Sequence, residues 1–369
     1  MKELVPTIEG WQREGVGVGR AVVVRTFGSA PRPEGAVLLR ADDGRIAGSV
    51  SGGCVEGAAA EEIERARRDG RARVIRYGIS DEQAWDVGLA CGGTIDVLIE
   101  PQLREAHIAA ATELGRAVAT VLPADAPPAE FGPHPPGEGA SPSPPVVVAA
   151  DGRFDGSLGS AAADETLRAA ADEALLRGTS RTVAIGERQV FVEAFPTRPR
   201  LVVVGAVEVA RSLVRFAREL GYETIVIDGR SSFATPERFP PDQVDRLVVG
   251  WPDEVADQIR LGRDDAVAVL THDVKFDEPA IVEALRRRCR YVGAVGSRKT
   301  QGDRRERLRR AGVRDDELDR LRGPVGLDLG GRSPAETALA IIGEVVAERY
   351  GGSGRPLATK AAGLASGAS

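Results

Sequence analysis

The sequence predicts an α/β protein built from an N-terminal mixed α/β domain containing an internal repeat and a C-terminal Rossmann-like domain with a parallel sheet. Three observations predict it. Strands and helices alternate regularly from residue 201 onward, the pattern of a parallel sheet covered on both faces. The stretch "DGRIAGSVSGGCVEG" at 43 returns as "DGRFDGSLGSAAADE" at 151, without a gap and at an offset of 108. Between the copies, "PADAPPAEFGPHPPGEGASPSPP" (123–145) has almost nothing to bury and reads as a disordered surface insertion. The expected limits are 1–196 for the first domain, 197–350 for the second and 351–369 for a flexible tail.

In chain order, a short helix opens the N-terminal domain. Strands follow in "AVVVRT" (21–26), "AVLLRA" (36–41), "ARVIRY" (72–77) and "TIDVLIE" (94–100), each rich in β-branched residues and bounded by Gly, Pro or Ser. A helix occupies 55–69. The repeat carries strand, DGR turn, G-S loop, long helix, glycine and strand in both copies, with Gly70 matching Gly178, Arg73 matching Arg181 and Gly78 matching Gly186. The first copy has Gly52, Gly53 and Cys54 where the second has Ser160, Ala161 and Ala162. A loop that only had to turn could do so with the second set, so the first carries something extra.

The second half opens with "LVVVGAVEVARSLVRFARELGYETIVIDGR" (201–230), a strand, turn, amphipathic helix and strand ending in Asp228. "RLVVG" with a helix from Pro252, "DAVAVLTHD" with a helix over 277–288, and "RYVGAVGSRK" with a helix into Leu308 continue the alternation. The dinucleotide fingerprint needs G-x-G-x-x-G/A and an acid some 20 residues later. Gly205, Ala210 and Asp228 fit it, but Val207 stands at the glycine that lets backbone approach a pyrophosphate, and Glu208 adds negative charge. Val207 therefore disfavours NAD(P) as a cofactor.

Composition sets outer limits. A content of 42% hydrophobic and 28% charged residues suits a globular protein with real cores. A net charge of −6 argues against nucleic acid as a partner. No apolar run is long enough to cross a bilayer, and the charged start has no secretory h-region, so neither membrane nor export is expected. Three cysteines, an odd number, suggest reduced thiols in a cytoplasmic protein. Histidines only at 107, 134 and 272 give no expectation of a multi-histidine metal site.

The candidate site residues follow from local chemistry. A thiol just before a helix, as at Cys54, feels the positive end of the dipole, which favours thiolate. Gly52 and Gly53 remove side chains, so a flat or anionic group could lie on bare backbone N–H groups. "TFGSAPRPEGA" (26–36) adds Ser29, Arg32 and Glu34, and "LACGGTIDVLIEP" (89–101) offers Cys91 with Gly92 and Gly93. The alternative reading is that Cys54 is a small buried residue. In the second domain, loops at the carboxyl ends of the strands carry Gly205, Asp228 and Arg230, then His272 and Asp273, then Ser297, Arg298 and Lys299. "GSRKT" places cations and hydroxyls at a helix start, a setting for an anion. "GLDLGGRSPAE" (326–336) adds Gly330 and Arg332, with Ser333 and Glu336 as a capping box and Pro334 at the first helical position.

Taken together, "GSAPRPEGA…DGRIAGSVSGGCVEG…ACGGTIDVLIEP" and "VVVGAVEVA…VIDGR…VLTHDVKFDEPAI…YVGAVGSRKT…GLDLGGRSPAETALAI" closely resemble the XdhC/CoxI family, in fixed order over nearly the whole chain. The resemblance implies an accessory protein for molybdenum hydroxylases such as xanthine dehydrogenase and CO dehydrogenase. It implies the molybdenum cofactor as cargo, delivery to an apoenzyme, and a link to cofactor sulfuration with a cysteine desulfurase as partner. It implies a chaperone more than a turnover enzyme, and a homodimer is a reasonable expectation. A soft thiolate at Cys54 is a plausible transient molybdenum ligand. The family's fingerprint has a glycine where Val207 stands here. The rival readings are an NAD(P)-dependent oxidoreductase using the Rossmann crevice and a scaffold joining desulfurase to apoenzyme.

Overall fold

A computed structural model describes residues 1–78, 93–128, 130 and 137–359. The chain divides into two compact units, 1–197 and 198 onward.

The first unit is one supersecondary unit written twice. After α1 (Val5–Arg13), the first copy runs β1 (Val18–Phe27), β2 (Val37–Ala41), β3 (Ile46–Gly48), α2 (Glu56–Asp69), β4 (Arg73–Tyr77) and β5 (Thr94–Glu100). Following α3 (Glu105–Thr112), the second runs β6 (Arg116–Val121), β7 (Val146–Ala149), β8 (Phe154–Asp155), α4 (Ala161–Arg177), β9 (Arg181–Ile185) and β10 (Arg188–Phe195). Their sheets have the same order, β3-β2-β1-β5-β4 and β8-β7-β6-β10-β9. The offset seen in the sequence holds for β4 against β9, whose first residues are Arg73 and Arg181. Even the turns between β2 and β3 and between β7 and β8 are copies: Asp43 accepts from Arg45 N at 3.1 Å and Nε at 2.8 Å, and Asp151 accepts from Arg153 N and Nε at the same distances. Both helices end on a left-handed glycine, Gly70 (φ 71°) and Gly178 (φ 68°).

The period-2 alternation of the strands builds four layers. Outward residues Val23, Leu38, Ile95 and Val97 pack under Ile63 of α2. On the second sheet, Val148, Val190 and Val192 pack under Leu167 and Ala171 of α4. Inward residues of the first sheet, Val22, Val24, Val74 and Leu98, meet Leu122 and Phe191 of the second. The stretch 123–145, read above as a disordered insertion, is corrected in its described part, because both its ends are tied down. Ala140 exchanges backbone hydrogen bonds with Ala72 at 2.8 and 2.9 Å, and Asp125 accepts from Gly139 N at 2.9 Å. Arg25 and Arg76 donate to the carbonyls of Pro127 and Pro128.

The second unit comprises β11 (Arg200–Val204), α5 (Glu208–Glu219), β12 (Glu223–Asp228), β13 (Arg246–Val249), α6 (Pro252–Val255), β14 (Asp265–Val269), α7 (Val274–Arg286), β15 (Tyr291–Ala294), α8 (Arg298–Arg310), α9 (Asp315–Leu318), β16 (Leu321–Arg322) and α10 (Pro334–Tyr350). All strand pairs are parallel, in the order β13-β12-β11-β14-β15-β16. Renumbered from β11, that is the 3-2-1-4-5-6 order of the Rossmann fold. Phe276, Ile281 and Leu308 cover one face, and Leu213, Val214, Ile341 and Ile342 the other. The strands are therefore buried on both sides, which is why they read as unbroken apolar runs.

Candidate functional site

Strand register gathers the N-terminal motifs at one end of the first sheet. Phe27 pairs with Thr94, Tyr77 with Ile95, and Leu38 with Gly48. The loops 28–36 and 49–55 and Gly93 therefore lie at the same end of the sheet. Cys54 and Ala30 both pack on the outer core of that sheet. A methyl on Gly93 would stand 2.8 Å from Ser29 O, so Gly93 is needed for close backbone contact with the Ser29 loop. Ser29 and Arg32 are exposed. Cys91 and Gly92 lie outside the described residues.

The Cys54 loop departs from the second copy in one specific way. There the helix begins at Ala161, capped by the Ser160 hydroxyl; here it begins at Glu56 after Val55, which offers no side-chain cap. Gly52 (φ 82°) and Gly53 (φ 121°) adopt backbone that side chains rarely tolerate, and a methyl on either would meet nothing within 4 Å. The Gly-Gly-Cys sequence thus unwinds what is a first helical turn in the other copy, and leaves Cys54 half-buried in an open loop.

The bare backbone expected to receive an anion is already occupied. Glu56 accepts from the N–H groups of Val50 (3.2 Å), Ser51 (2.9 Å), Gly52 (3.1 Å) and Gly53 (2.9 Å), and from the hydroxyls of Ser49 and Ser51, both at 2.6 Å. Ser51 Oγ accepts from Cys54 N and Val55 N, each at 3.0 Å. Every N–H from 50 to 55 is therefore satisfied within the loop. Burial works against the charge on Glu56, but the two serine hydroxyls and the Ser51 N–H outweigh it and hold its pKa down to about 2. The positive end of α2 is balanced by the chain's own carboxylate, which removes the basis for reading Gly52 and Gly53 as an anion nest. What the loop presents is the thiol.

Sequence reasoning missed Glu56, although a signal was there. Asp164, its partner at the same offset, accepts from Ser157 Oγ (2.8 Å) and Leu158 N (2.7 Å), a smaller version of the same arrangement. Beneath the loop edge, buried Asp96 accepts from Arg25 at 2.9 Å and Arg76 at 2.7 Å. Glu34 is pushed up to about 7 by burial, against a Thr26 backbone hydrogen bond and the charge of Arg25.

In the second unit, the loops after parallel strands share the carboxyl edge of the sheet. Gly205 (φ 109°) is fixed by close approach, since a methyl there would stand 2.5 Å from Thr271 Cγ2. Val207 precedes α5 in extended backbone. Asp228, the acid that fits a ribose contact, is 1% exposed and fully engaged. It accepts from Ala206 N (2.8 Å) and from Arg230 N, Nε and Nη2 (2.9, 2.9 and 2.7 Å). Despite burial, those bonds keep its carboxyl below the usual range. Arg230 in turn lies 4.0 Å over the Phe233 ring. Titration with NADH or NADPH to millimolar concentration is expected to leave the nucleotide fluorescence unchanged, and a saturable rise would contradict this account of Val207 and Asp228.

His272 and Asp273 are exposed, and Asp273 caps α7 by accepting from Lys275 N at 3.0 Å. Ser297 caps α8 by accepting from Thr300 N at 3.2 Å, leaving Arg298 and Lys299 exposed beside it. Below these loops Asp277 accepts from Thr271 Oγ1 and, at 3.1 Å, from Arg304, which also reaches Val295 O at 3.0 Å. This buried network fixes the two loops; desolvation raises the Asp277 pKa to about 6. The capping box of α10 is formed as the sequence predicts: Ser333 Oγ accepts from Glu336 N, and Glu336 accepts from Ser333 N (2.9 Å) and Arg332 N (3.0 Å). Gly330 and the Arg332 side chain stay exposed. Among the described residues no group of three or more His, Cys, Asp or Glu side chains could hold a metal ion. No helix there is long and apolar enough to cross a membrane. Cys289 is buried, and desolvation pushes its thiol up to about 12.

Residues 201–345 match the model of the XdhC Rossmann domain, and residues 11–78 that of the XdhC and CoxI family. The chain is 26% identical to a probable xanthine dehydrogenase subunit of Bacillus subtilis, over 89% of this chain and 92% of that protein. It is 27% identical to the "Molybdenum cofactor insertion chaperone PaoD" of Escherichia coli, over 91% and 84%. A crystal structure of a xanthine dehydrogenase from Bacillus halodurans superposes with a TM-score of 0.62 at 24% identity, over 98% of both chains, and shows the same fold.

Proposed function

Because the chain belongs to the XdhC and CoxI family, we propose that it binds the molybdenum cofactor and delivers it to an apoenzyme of the xanthine dehydrogenase or CO dehydrogenase type. The observation that carries this reading is the Gly52–Gly53–Cys54 turn. One copy of a repeated unit gives up a helical turn there and holds a half-buried thiol in an open loop, while the other keeps the turn. A thiolate is a soft ligand suited to a transient hold on molybdenum. The name of the relative PaoD, a molybdenum cofactor insertion chaperone, supports the cargo. In this reading the protein also shields the cofactor while its oxo ligand is exchanged for sulfur, with a cysteine desulfurase as donor partner. Arg298, Lys299 and Arg332 are the candidate anion contacts of the second unit. A cytoplasmic homodimer is the expected working form.

The role is tested by reconstitution. A cofactor-free molybdenum hydroxylase is mixed anaerobically with limiting cofactor, with and without this protein. Faster or more complete recovery of hydroxylase activity is expected with the protein present. Equal recovery would leave no role in insertion.

A further inference from the structure

In the first copy of the repeat, Trp11 of α1 shares the inner core with Leu39, Ala41 and Ala47 of β2 and β3. The Arg45 guanidinium, from the turn between those strands, stands 5.5 Å over the indole and pairs with Asp43 and with Glu14. At the repeat's offset the second copy carries Val147, Ala149 and Asp155 for the three strand residues, and Arg153 for Arg45. The helix that precedes its central strand is α3, as α1 precedes β1, and residues 109–111 of α3 are all alanine. No indole crosses from it.

A groove of about 570 Å³ remains there. Val147, Ala149, Ala106, Ala109 and Phe154 give it an apolar lining, and Arg116, Arg153, Glu105 and Asp155 complete it. Leu39 and Ala41 are buried in the first copy, whereas Val147 and Ala149 are only half-buried in the second. The Arg45 side chain is 44% exposed and that of Arg153 78%. Arg153 keeps the turn bond to Asp151, but Glu113, which ends α3 as Glu14 ends α1, pairs with Arg116 instead. Among the described residues, Arg153 therefore has neither the ring nor the second carboxylate that Arg45 holds.

We propose that this groove is a docking site for a partner protein, entered by one exposed aromatic side chain with a carboxylate one helical turn further on. The chain's own α1 is the template, since Trp11 and Glu14 are three residues apart and engage Arg45 together. In the second copy the partner's ring lies on Val147 and Ala149 beneath the Arg153 guanidinium, and its carboxylate pairs with that same group. The two arginines of the lining balance its two acids, so the site selects one ring and one acid rather than an acidic run. It is independent of cofactor delivery.

The test is fluorescence polarisation of a labelled, stapled helical peptide of residues 2–15, "KELVPTIEGWQREG", titrated with the full chain. Saturable binding is expected, weakened at least about tenfold by Trp11→Ala in the peptide and about threefold by Glu14→Gln. In the protein, Arg153→Ala should lose at least about threefold, and Arg45→Ala nothing. Ala109→Trp, which supplies a ring from within, should abolish binding. No binding at millimolar protein, or binding undiminished by both Arg153→Ala and Ala109→Trp, would overturn the assignment. So would loss in Arg45→Ala alone, which would mean that the peptide displaces α1 from its own place. Light scattering covers the remaining occupant: self-association of wild type that Ala109→Trp abolishes would give the groove to a second copy and overturn the partner. If Ala109→Trp lacks a cooperative unfolding transition, Arg153→Glu, at an exposed turn position, replaces it and should abolish binding.

Discussion

Arg20→Ala is expected to cost the first unit about 3–5 kcal/mol, the range for stripping a buried charge cluster of one partner. Arg20 is 0% exposed and joins the two copies of the repeat. Its guanidinium donates to Glu100 on β5 and, at 2.9 Å, to Glu193 on β10, and its third nitrogen stands 2.9 Å from His107 Nε2. Glu100 and Glu193 occupy equivalent places, each just beyond the residue that pairs with the start of β4 or β9 (Ile99 with Arg73, Val192 with Arg181). One arginine therefore clamps the same carboxylate of both copies. Burial opposes its charge, the two carboxylates outweigh burial, and its pKa is raised; burial and the neighbouring arginines keep His107 neutral. For a unit of this size the loss corresponds to a fall of about 10–15 °C in Tm. The deficit should shrink in acid, because protonation of the two orphaned glutamates removes the uncompensated charge. The triple variant Arg20→Met/Glu100→Leu/Glu193→Leu should recover most of the loss. Calorimetric unfolding of the three proteins between acid and neutral pH checks the account, and an Arg20→Ala protein as stable as wild type would refute the clamp.

Glu56→Gln is expected to destabilise the first unit by about 2 kcal/mol at neutral pH, since a charged acceptor serving several donors is replaced by a weaker, partly donating one. The sign with pH is fixed by direction. The folded pKa, about 2, lies below the ordinary 4.5, so Glu56 contributes stability above about pH 4.5 and loses it as pH falls toward 2. Wild type and variant should therefore converge in that window. Urea unfolding at pH 7 and in acid measures this, and a gap that is constant with pH would show that the charge does not matter.

Features set by local chemistry were legible in the sequence. The capping box at Ser333 and Glu336 involves neighbours, and the 3.6- and 2-residue periods located most strands and helices, though not α3, β6 or β10. The repeat was readable while spacing stayed constant, from Asp43 to Gly78. It was lost where the connection 78–93 between β4 and β5 has a counterpart of only 186–187, so the equivalence of Glu100 with Glu193 was hidden. Long-range polar partners left no local trace. Arg20 lies just outside the strand read at 21–26 and shows nothing of its role until a second sheet closes over it, and Asp228 reads as a ribose acid until Arg230 folds back on it. Glu56 was misjudged for a related reason. Gly-Gly before a helix suggests open N–H groups, and only the fold shows that a carboxylate three to six residues on has taken them.

The measurement that bears most directly on the central claim is anaerobic equilibrium binding of isolated molybdenum cofactor to wild type and Cys54→Ala. The substitution should fold, because Cys54 is only half-buried and the loop is held through its backbone N–H rather than through the thiol. The account predicts saturable binding by wild type and at least about tenfold weaker binding by the variant, roughly 1.4 kcal/mol. Equal binding by the two proteins, or none by wild type, would contradict it.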